Sequence, residues 1–164
     1  DRNAGYLAVA RASYALNGFP IRREEFRVDD FFAGVGRLKR AGDLFDCAIV
    51  DPPFFATARG GTVDLVAASH RPLNRVRPLI ADGGVLIAIN NALFVSGAAW
   101  LQALEALCAD GSLAVEELTP IPPDFTGSPE TRVGSPPADP APFNHATKIA
   151  VLRVRRKDGR TAQK

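Results

Sequence analysis

The run Asp51-Pro52-Pro53-Phe54 sets a carboxylate, two stiff carbonyl-bearing residues and an aromatic face side by side. It follows Phe45-Asp46-Cys47-Ala48-Ile49-Val50, which reads as a buried parallel strand. Neither proline can donate to a ladder and each restricts the residue before it, so the strand ends here and the chain leaves in a set direction. Open α/β sheets bind their ligands at the carboxyl ends of strands. At such a place the Asp51 carboxylate and the proline carbonyls can accept from a base amine or ring edge, and Phe54 can stack on the ring. The plain alternative is a strand-ending turn that Asp51 caps.

Other reactive side chains are few. Cys47, Cys108, His70 and His145 are all the cysteines and histidines, and no metal site is expected from them. Cys47 falls in a strand and Cys108 in an amphipathic helix, so both are expected to be buried free thiols of a reduced, cytoplasmic compartment. No stretch reads as a signal peptide and no apolar run has transmembrane length, so no membrane partner is expected. A length of 164 residues with 46% hydrophobic content suits one domain with a real core. The net charge of +2 is compatible with a nucleic-acid partner without requiring one. The basic residues cluster at Arg22-Arg23, Arg37/Lys39/Arg40, Arg71/Arg75/Arg77 and Arg153/Arg155/Arg156/Lys157, and read as solvated faces.

Alternating strands and helices must position the Asp51 turn. Asn3 can cap a helix carrying Tyr6, Leu7, Val9, Ala10, Tyr14 and Ala15 that closes at Asn17-Gly18. Phe26 and Val28 predict a short strand ending at Asp29-Asp30, and either aspartate can cap a helix with Phe32, Val35 and Leu38 that stops near Gly42. After the Asp51 turn, a loop through Gly60-Gly61 leads to a helix predicted from about Thr62, disturbed at Pro72 and ended by Pro78. Asp82-Gly83-Gly84 predicts a turn and Val85 to Ile89 a buried strand that ends at Asn90-Asn91. A helix over about Gly97 to Ala109 and strands at Leu113–Leu118 and Lys148–Val154 follow. Residues 120–146 hold eight prolines, and loops of that length are usually functional or disordered. Residues 157–164 form a polar tail expected to be mobile, which leaves 1–156 as the domain.

This alternation implies an α/β fold with a doubly wound parallel sheet. The chain begins at a helix, with no strand and no glycine-rich loop before it, and Gly34-x-Gly36 lies inside a helix. The sheet is therefore expected to lack its first strands, and residue 1 is not expected to be a natural start.

Several segments in order resemble class I S-adenosylmethionine-dependent methyltransferases. Asp1-Arg2-Asn3 with Leu7-Ala8-Val9-Ala10 and Leu16-Asn17-Gly18 is similar to their second-strand end and its helix. Phe26 to Phe32 resembles their adenine-contacting segment, Phe45-Asp46 through Asp51-Pro52-Pro53-Phe54-Phe55 their substrate-base motif, and Gly83-Gly84-Val85-Leu86-Ile87 the turn into their fifth strand. The resemblance covers about residues 1 to 154 and is nearest to methyltransferases of large-subunit ribosomal RNA. It implies a Rossmann-like methyltransferase sheet, mostly parallel with an antiparallel last strand, and S-adenosylmethionine as cofactor.

The resemblance also implies roles. Asp1 matches the carboxylate that accepts from both ribose hydroxyls of the cofactor, with an ordinary helix cap as the alternative. Asp30 matches the acceptor of the adenine amine, with Asp29 the other candidate, and Phe31 packs on the ring. Asp51, Pro52, Pro53 and Phe54 would form the catalytic turn that holds the target base beside the sulfonium methyl, so that Asp51 borders the cofactor too. In-line methyl transfer depends mostly on such positioning. Phe54, Phe55, Asn90 and Asn91 would contact substrate. Relatives that make 5-methylcytosine carry a cysteine at the fifth-strand end, because a ring carbon needs covalent activation. Asn90-Asn91 stands there instead and resembles the relatives that methylate guanine N7. Ile121-Pro122-Pro123-Asp124-Phe125 and Phe143-Asn144-His145 resemble segments near the pocket. A methyl transfer to a base nitrogen of RNA, rRNA foremost, is the expected function. An amino-methyltransferase acting on adenine, a protein glutamine or a small molecule stays open, as does a scaffold without turnover.

Overall fold

The computed structural model describes residues 1–58, 61–126 and 135–162. Helix α1 spans Ala4–Leu16, and Asn3 caps it by accepting from the Gly5 amide at 2.8 Å. Helix α2 spans Phe31–Ala41. Asp30 Oδ1 accepts from the Phe32 and Ala33 amides at its start, and Gly42 closes it in the left-handed conformation that glycine adopts without strain. Strand β1 is Phe45–Val50. A hairpin of β2 (Phe55–Ala58) and β3 (Gly61–Asp64) follows it. Helix α3 (His70–Val76) continues through a 3₁₀ turn, Arg77–Leu79, into β4 (Ile80–Asn90). Then come α4 (Gly97–Cys108), β5 (Leu113–Thr119), the short α5 (Pro123–Thr126) and β6 (Lys148–Val154).

The main sheet has the order β1-β4-β6-β5. β1 and β4 are parallel, while β6 runs antiparallel to both of its neighbours. Three strands therefore share one direction and the last is reversed, as expected of a Rossmann-like methyltransferase sheet. Register explains the packing. Ala48↔Leu86↔Leu152 and Val50↔Ala88↔Ala150 share one face, and these residues join Val35, Leu73, Val76, Trp100 and Leu104 in one core. Cys47, Ile49, Val85, Ile87 and Val151 lie on the opposite face and none of them is buried.

Several expectations are corrected here. β1 is not a buried strand: only Val50 is buried, Cys47 is exposed, and Cys108 is partly exposed. Among the described residues β1 pairs with β4 alone. α1 buries none of its apolar residues; Tyr14 instead meets Phe19 and Phe26 edge-on. Phe26–Val28 is not assigned as a strand, and Val28 bridges Asp1 alone. Asp1 N donates to the Arg27 carbonyl at 3.3 Å and Asp29 N to the Asp1 carbonyl at 2.8 Å, the pattern of a single parallel bridge. Thr62 belongs to β3 rather than to a helix, which starts at His70. Pro72 falls in the first turn of α3, where no amide is needed. The Asp82-Gly83-Gly84 turn becomes a bulge inside β4, with Gly83 at φ 73°. Phe45 pairs with Ile80 and Cys47 with Val85, so β4 advances by five residues while β1 advances by two. Asn90 is the last residue of that strand.

The polar tail is not loose over 157–162. Arg156 Nη1 donates to the Pro78 carbonyl at 2.9 Å and the Arg156 amide to Asp82 Oδ1 at 2.7 Å. Asp82 N donates to the Arg160 carbonyl at 2.7 Å and Arg160 Nη2 to the Gly42 carbonyl at 3.2 Å. At the bulge in β4 the Asp82 carboxylate holds Arg156 and the Asp82 amide holds Arg160. The loop Gly60 and residues 127–134 of the proline-rich stretch lie outside the described residues. The described part of that stretch straps α4: Gly97 N donates to the Asp139 carbonyl at 2.9 Å, and the Phe143 ring lies 5.1 Å from Trp100.

Gly97 is required by this strap. A Cβ there would overlap the Pro140 carbonyl oxygen and lie 2.5 Å from that of Ala141. Gly97→Ala is expected to destabilise the fold by about 1–3 kcal/mol or more, the range for forced overpacking, as read by urea unfolding. An unchanged midpoint would mean that the strap can shift away from α4.

Candidate active site at the carboxyl end of the sheet

Three segments meet beyond the carboxyl ends of β1 and β4. The first is the turn 51–54. Pro52 borders a small void with Val50, Leu65, Pro72, Leu73 and Trp100, so its ring seals the end of the core. Asp51, Pro53 and Phe54 stay exposed. The Phe54 carbonyl accepts from the Leu65 amide at 2.9 Å, which ties the turn to the far end of the hairpin. Phe55 is the first residue of β2, and its ring is exposed as well.

The second segment follows β4. Asn90 closes the strand and Asn91 begins the loop after it, and the two side chains have different environments. Asn90 is wholly buried and its Oδ1 accepts from the Ala92 amide at 2.9 Å. Asn91 is exposed, as are Leu93 and Phe94. Of the two asparagines expected at the substrate, Asn90 builds the turn and only Asn91 faces outward.

The third segment is the rim made by residues 121–125 and 143–146. Asn144 Oδ1 accepts from the Ile121 amide at 2.9 Å, and its Nδ2 donates to the Ile121 carbonyl at 2.8 Å. This two-way bond ties the start of the segment that carries the exposed Phe125 to Asn144. His145 Nδ1 accepts from the Thr147 amide at 3.0 Å, which commits that nitrogen to the loop.

The residues expected at the cofactor gather elsewhere, in a cleft of about 960 Å³. Asp1, Asp29, Asp30, Phe31 and Gly34 line it. Asp1 Oδ1 accepts from the Asn3 amide at 2.7 Å. Asp30 uses Oδ1 to cap α2, which leaves its second carboxylate oxygen for a ligand. Asp29 Oδ1 accepts from the Asp30 amide, and the Arg37 guanidinium pairs with the other oxygen, so Asp29 is the less available of the two. Phe31 also lines an adjoining trough of about 410 Å³ along β1, whose far end holds Asp51 and Pro52.

Lys148, at the start of β6 beside these segments, carried no expectation from the sequence. It is 1% exposed, and burial lowers the pKa of its ammonium. The signal was present in Lys148-x-Ala150-x-Leu152-x-Val154, whose period of two puts the lysine on the core face. Cys108, by contrast, has its thiol pKa raised, foremost by burial, which disfavours the reactive thiolate.

A Rossmann-like sheet with polar and aromatic groups at its strand ends defines a ligand-binding α/β domain of the methyltransferase type. Residues 1–132 match the S-adenosylmethionine-dependent methyltransferase family, and the chain belongs to it. Among similar curated proteins, the ribosomal RNA large subunit methyltransferase I of Erwinia tasmaniensis is 29% identical over 91 residues, 55% of this chain and 23% of that protein. The enzyme of the same name from Aeromonas hydrophila subsp. hydrophila is 27% identical over 114 residues, 69% of this chain and 28% of that protein. The chain thus spans about a quarter of the length of these relatives. Among solved structures, SMU.776 complexed with SAH superposes with a TM-score of 0.73 at 18% identity, over 94% of this chain and 38% of that one. That likeness is one of fold.

Proposed function

We propose that the protein transfers the methyl group of S-adenosylmethionine to a base nitrogen of ribosomal RNA in the cytoplasm, with guanine N7 the favoured atom. The RNA substrate is the one named for the similar enzymes of Erwinia tasmaniensis and Aeromonas hydrophila. The observation that carries the nitrogen reading is Asn91, an exposed amide at the end of β4 where a carbon-methylating relative carries a thiol. Neither cysteine replaces that thiol. Cys47 sits four residues before Asp51, about 13 Å back along an extended strand, on the face away from the core. Cys108 ends α4. Among the described residues no three His, Cys, Asp or Glu side chains could hold a metal, and no helix is long and apolar enough to cross a membrane.

On this reading the adenosine of the cofactor lies towards Asp1, Asp30 and Phe31 and its methyl towards Asp51. The base stacks on Phe54, with Phe55 and Asn91 along its edge. Its ring nitrogen already carries a lone pair, so the protein need only hold that lone pair in line with the departing sulfur. Undermethylated rRNA incubated with labelled cofactor, digested and analysed by mass spectrometry, is expected to yield 7-methylguanosine. Labelled 5-methylcytidine, or a covalent adduct of either cysteine with 5-fluoropyrimidine RNA, would overturn the proposal.

The cofactor assignment has its own test. Asp1→Ala is expected to weaken S-adenosylmethionine binding by roughly 1–3 kcal/mol, the range for hydrogen bonds to a charged group. Asp30→Ala should lose affinity by a similar or smaller amount and also about 1 kcal/mol of stability as a helix cap. Asp30→Asn keeps a capping oxygen and separates the two effects. Calorimetric affinities equal to wild type in both alanine variants would remove these carboxylates from the cofactor site.

A further inference from the structure

Lys148 opens β6 directly opposite Asn90, the last residue of β4. Its ammonium donates to the Ala92 carbonyl at 3.1 Å and to the Ala146 carbonyl at 2.6 Å. From the facing strand, Asn90 Oδ1 accepts from the Ala92 amide. Both backbone polar groups of Ala92 are therefore held by buried side chains of two paired strands. Ala92 is itself buried between Asn91 on one side and Leu93 and Phe94 on the other, all three exposed.

The chemistry of this arrangement is unusual for a packing contact. Among the described residues no carboxylate pairs with Lys148, and Asn90 Nδ2 has no partner. A buried ammonium held by carbonyls alone is desolvated at a cost. A methionine would occupy a similar volume without that cost, so packing does not account for a lysine. What the lysine adds is a rigid link between two exposed loops, 91–94 through Ala92 and 143–146 through Ala146. The second loop is bonded in turn, through Asn144, to the segment that carries Phe125.

We infer that Lys148 is a positioning residue for methyl transfer: with Asn90 it clamps Ala92 and thereby fixes Asn91 and Phe94 where the substrate base is received. The inference rests on the reading that this rim receives the base. The clamp itself can be observed without any substrate.

Lys148→Met and Lys148→Gln in the whole protein test it through three readouts. Hydrogen exchange of a peptide covering 91–94 should accelerate at least tenfold in Lys148→Met, while peptides from the centres of β4 and β6 stay protected. Turnover on undermethylated rRNA should fall at least tenfold, with S-adenosylmethionine Kd within twofold of wild type. Lys148→Gln, which keeps a donor, should fall between the two. Adding Asn91→Ala to Lys148→Met should cost less than it does in the wild-type background, because both changes remove the same placement. Unchanged exchange at 91–94 would overturn the clamp whatever the activity. Faster exchange with full turnover, strictly additive losses, or failure of both variants to fold would overturn the positioning role, the last by making Lys148 a structural residue. An inactive wild type would instead overturn the rRNA reading, and the exchange experiment would still judge the clamp.

Discussion

Replacing Asp51 with alanine is expected to lower methyl transfer to rRNA on the order of 10²-fold or more, the cost of misplacing reacting groups by about an ångström, while S-adenosylmethionine Kd changes only a fewfold. Asp51 directly follows β1, at the head of the exposed turn that carries Phe54. Its carboxylate can hold an edge of the base while the lone pair is aligned with the sulfonium methyl. An interaction needed mainly in the transition state appears in turnover rather than in ground-state binding. Asp51→Asn keeps the shape and one acceptor, so it should retain more activity than Asp51→Ala if the role is orientation. Single-turnover rates with saturating rRNA, paired with calorimetry of the cofactor, separate the two quantities. A large loss of cofactor affinity with a normal rate at saturation would assign Asp51 to the cofactor instead.

Trp100→Ala should be the most destabilising single change, costing about 3–5 kcal/mol as other buried tryptophan truncations do. Trp100 is 2% exposed. It lies on the face of α4 turned to the sheet, meets the Phe143 ring at 5.1 Å, and borders the same small void as Pro52. Its removal opens a cavity between α4, the proline-rich strap and the Asp51 turn, and the rigid Pro52 ring cannot collapse into it. The melting temperature should drop by roughly 6–20 °C for a domain of this size. Trp100 is the single tryptophan, so unfolding must be followed by circular dichroism rather than fluorescence. Trp100→Phe should recover part of the loss. A cost below about 1 kcal/mol in the alanine variant would mean that the strap repacks onto α4.

The two variants probe opposite ends of one construction. Pro52 faces the core and Asp51 the ligand side, so a stability defect at Trp100 should also lower turnover, whereas Asp51→Ala should leave the unfolding midpoint near wild type.

Much of the molecule could be read from local chemistry. Asn3 and Asp30 cap helices because a side-chain oxygen two residues ahead of a free amide needs no distant partner. Gly42 ends α2 because its left-handed φ of 76° suits glycine. The prolines at 52 and 53 end β1 through their own covalent geometry. The order of strands and helices and the Asp51 turn follow from such rules, and the methyltransferase resemblance follows from the order. The hairpin was harder. Phe55–Ala58 and Gly61–Asp64 are four residues each, and each is stable only through the other, so neither shows alone.

What the sequence could not determine is which side of a strand the rest of the molecule covers. Alternation along β1 separates Cys47 and Ile49 from Ala48 and Val50, but an apolar run looks the same whether one face or two are buried. Among the described residues the helices pack on the face that holds Leu86 and Ala150, and Cys47 lies on the other. The same holds for Asn90 and Asn91, whose environments differ: only the position of β6 puts Asn90 inside, opposite Lys148. The tail is a third case, since the Asp82 amide that donates to the Arg160 carbonyl lies far from it in the chain. Caps, breaks and turns are set by groups within a few residues, so composition and spacing carry them. Burial and anchoring are set by neighbours that only the folded chain brings together.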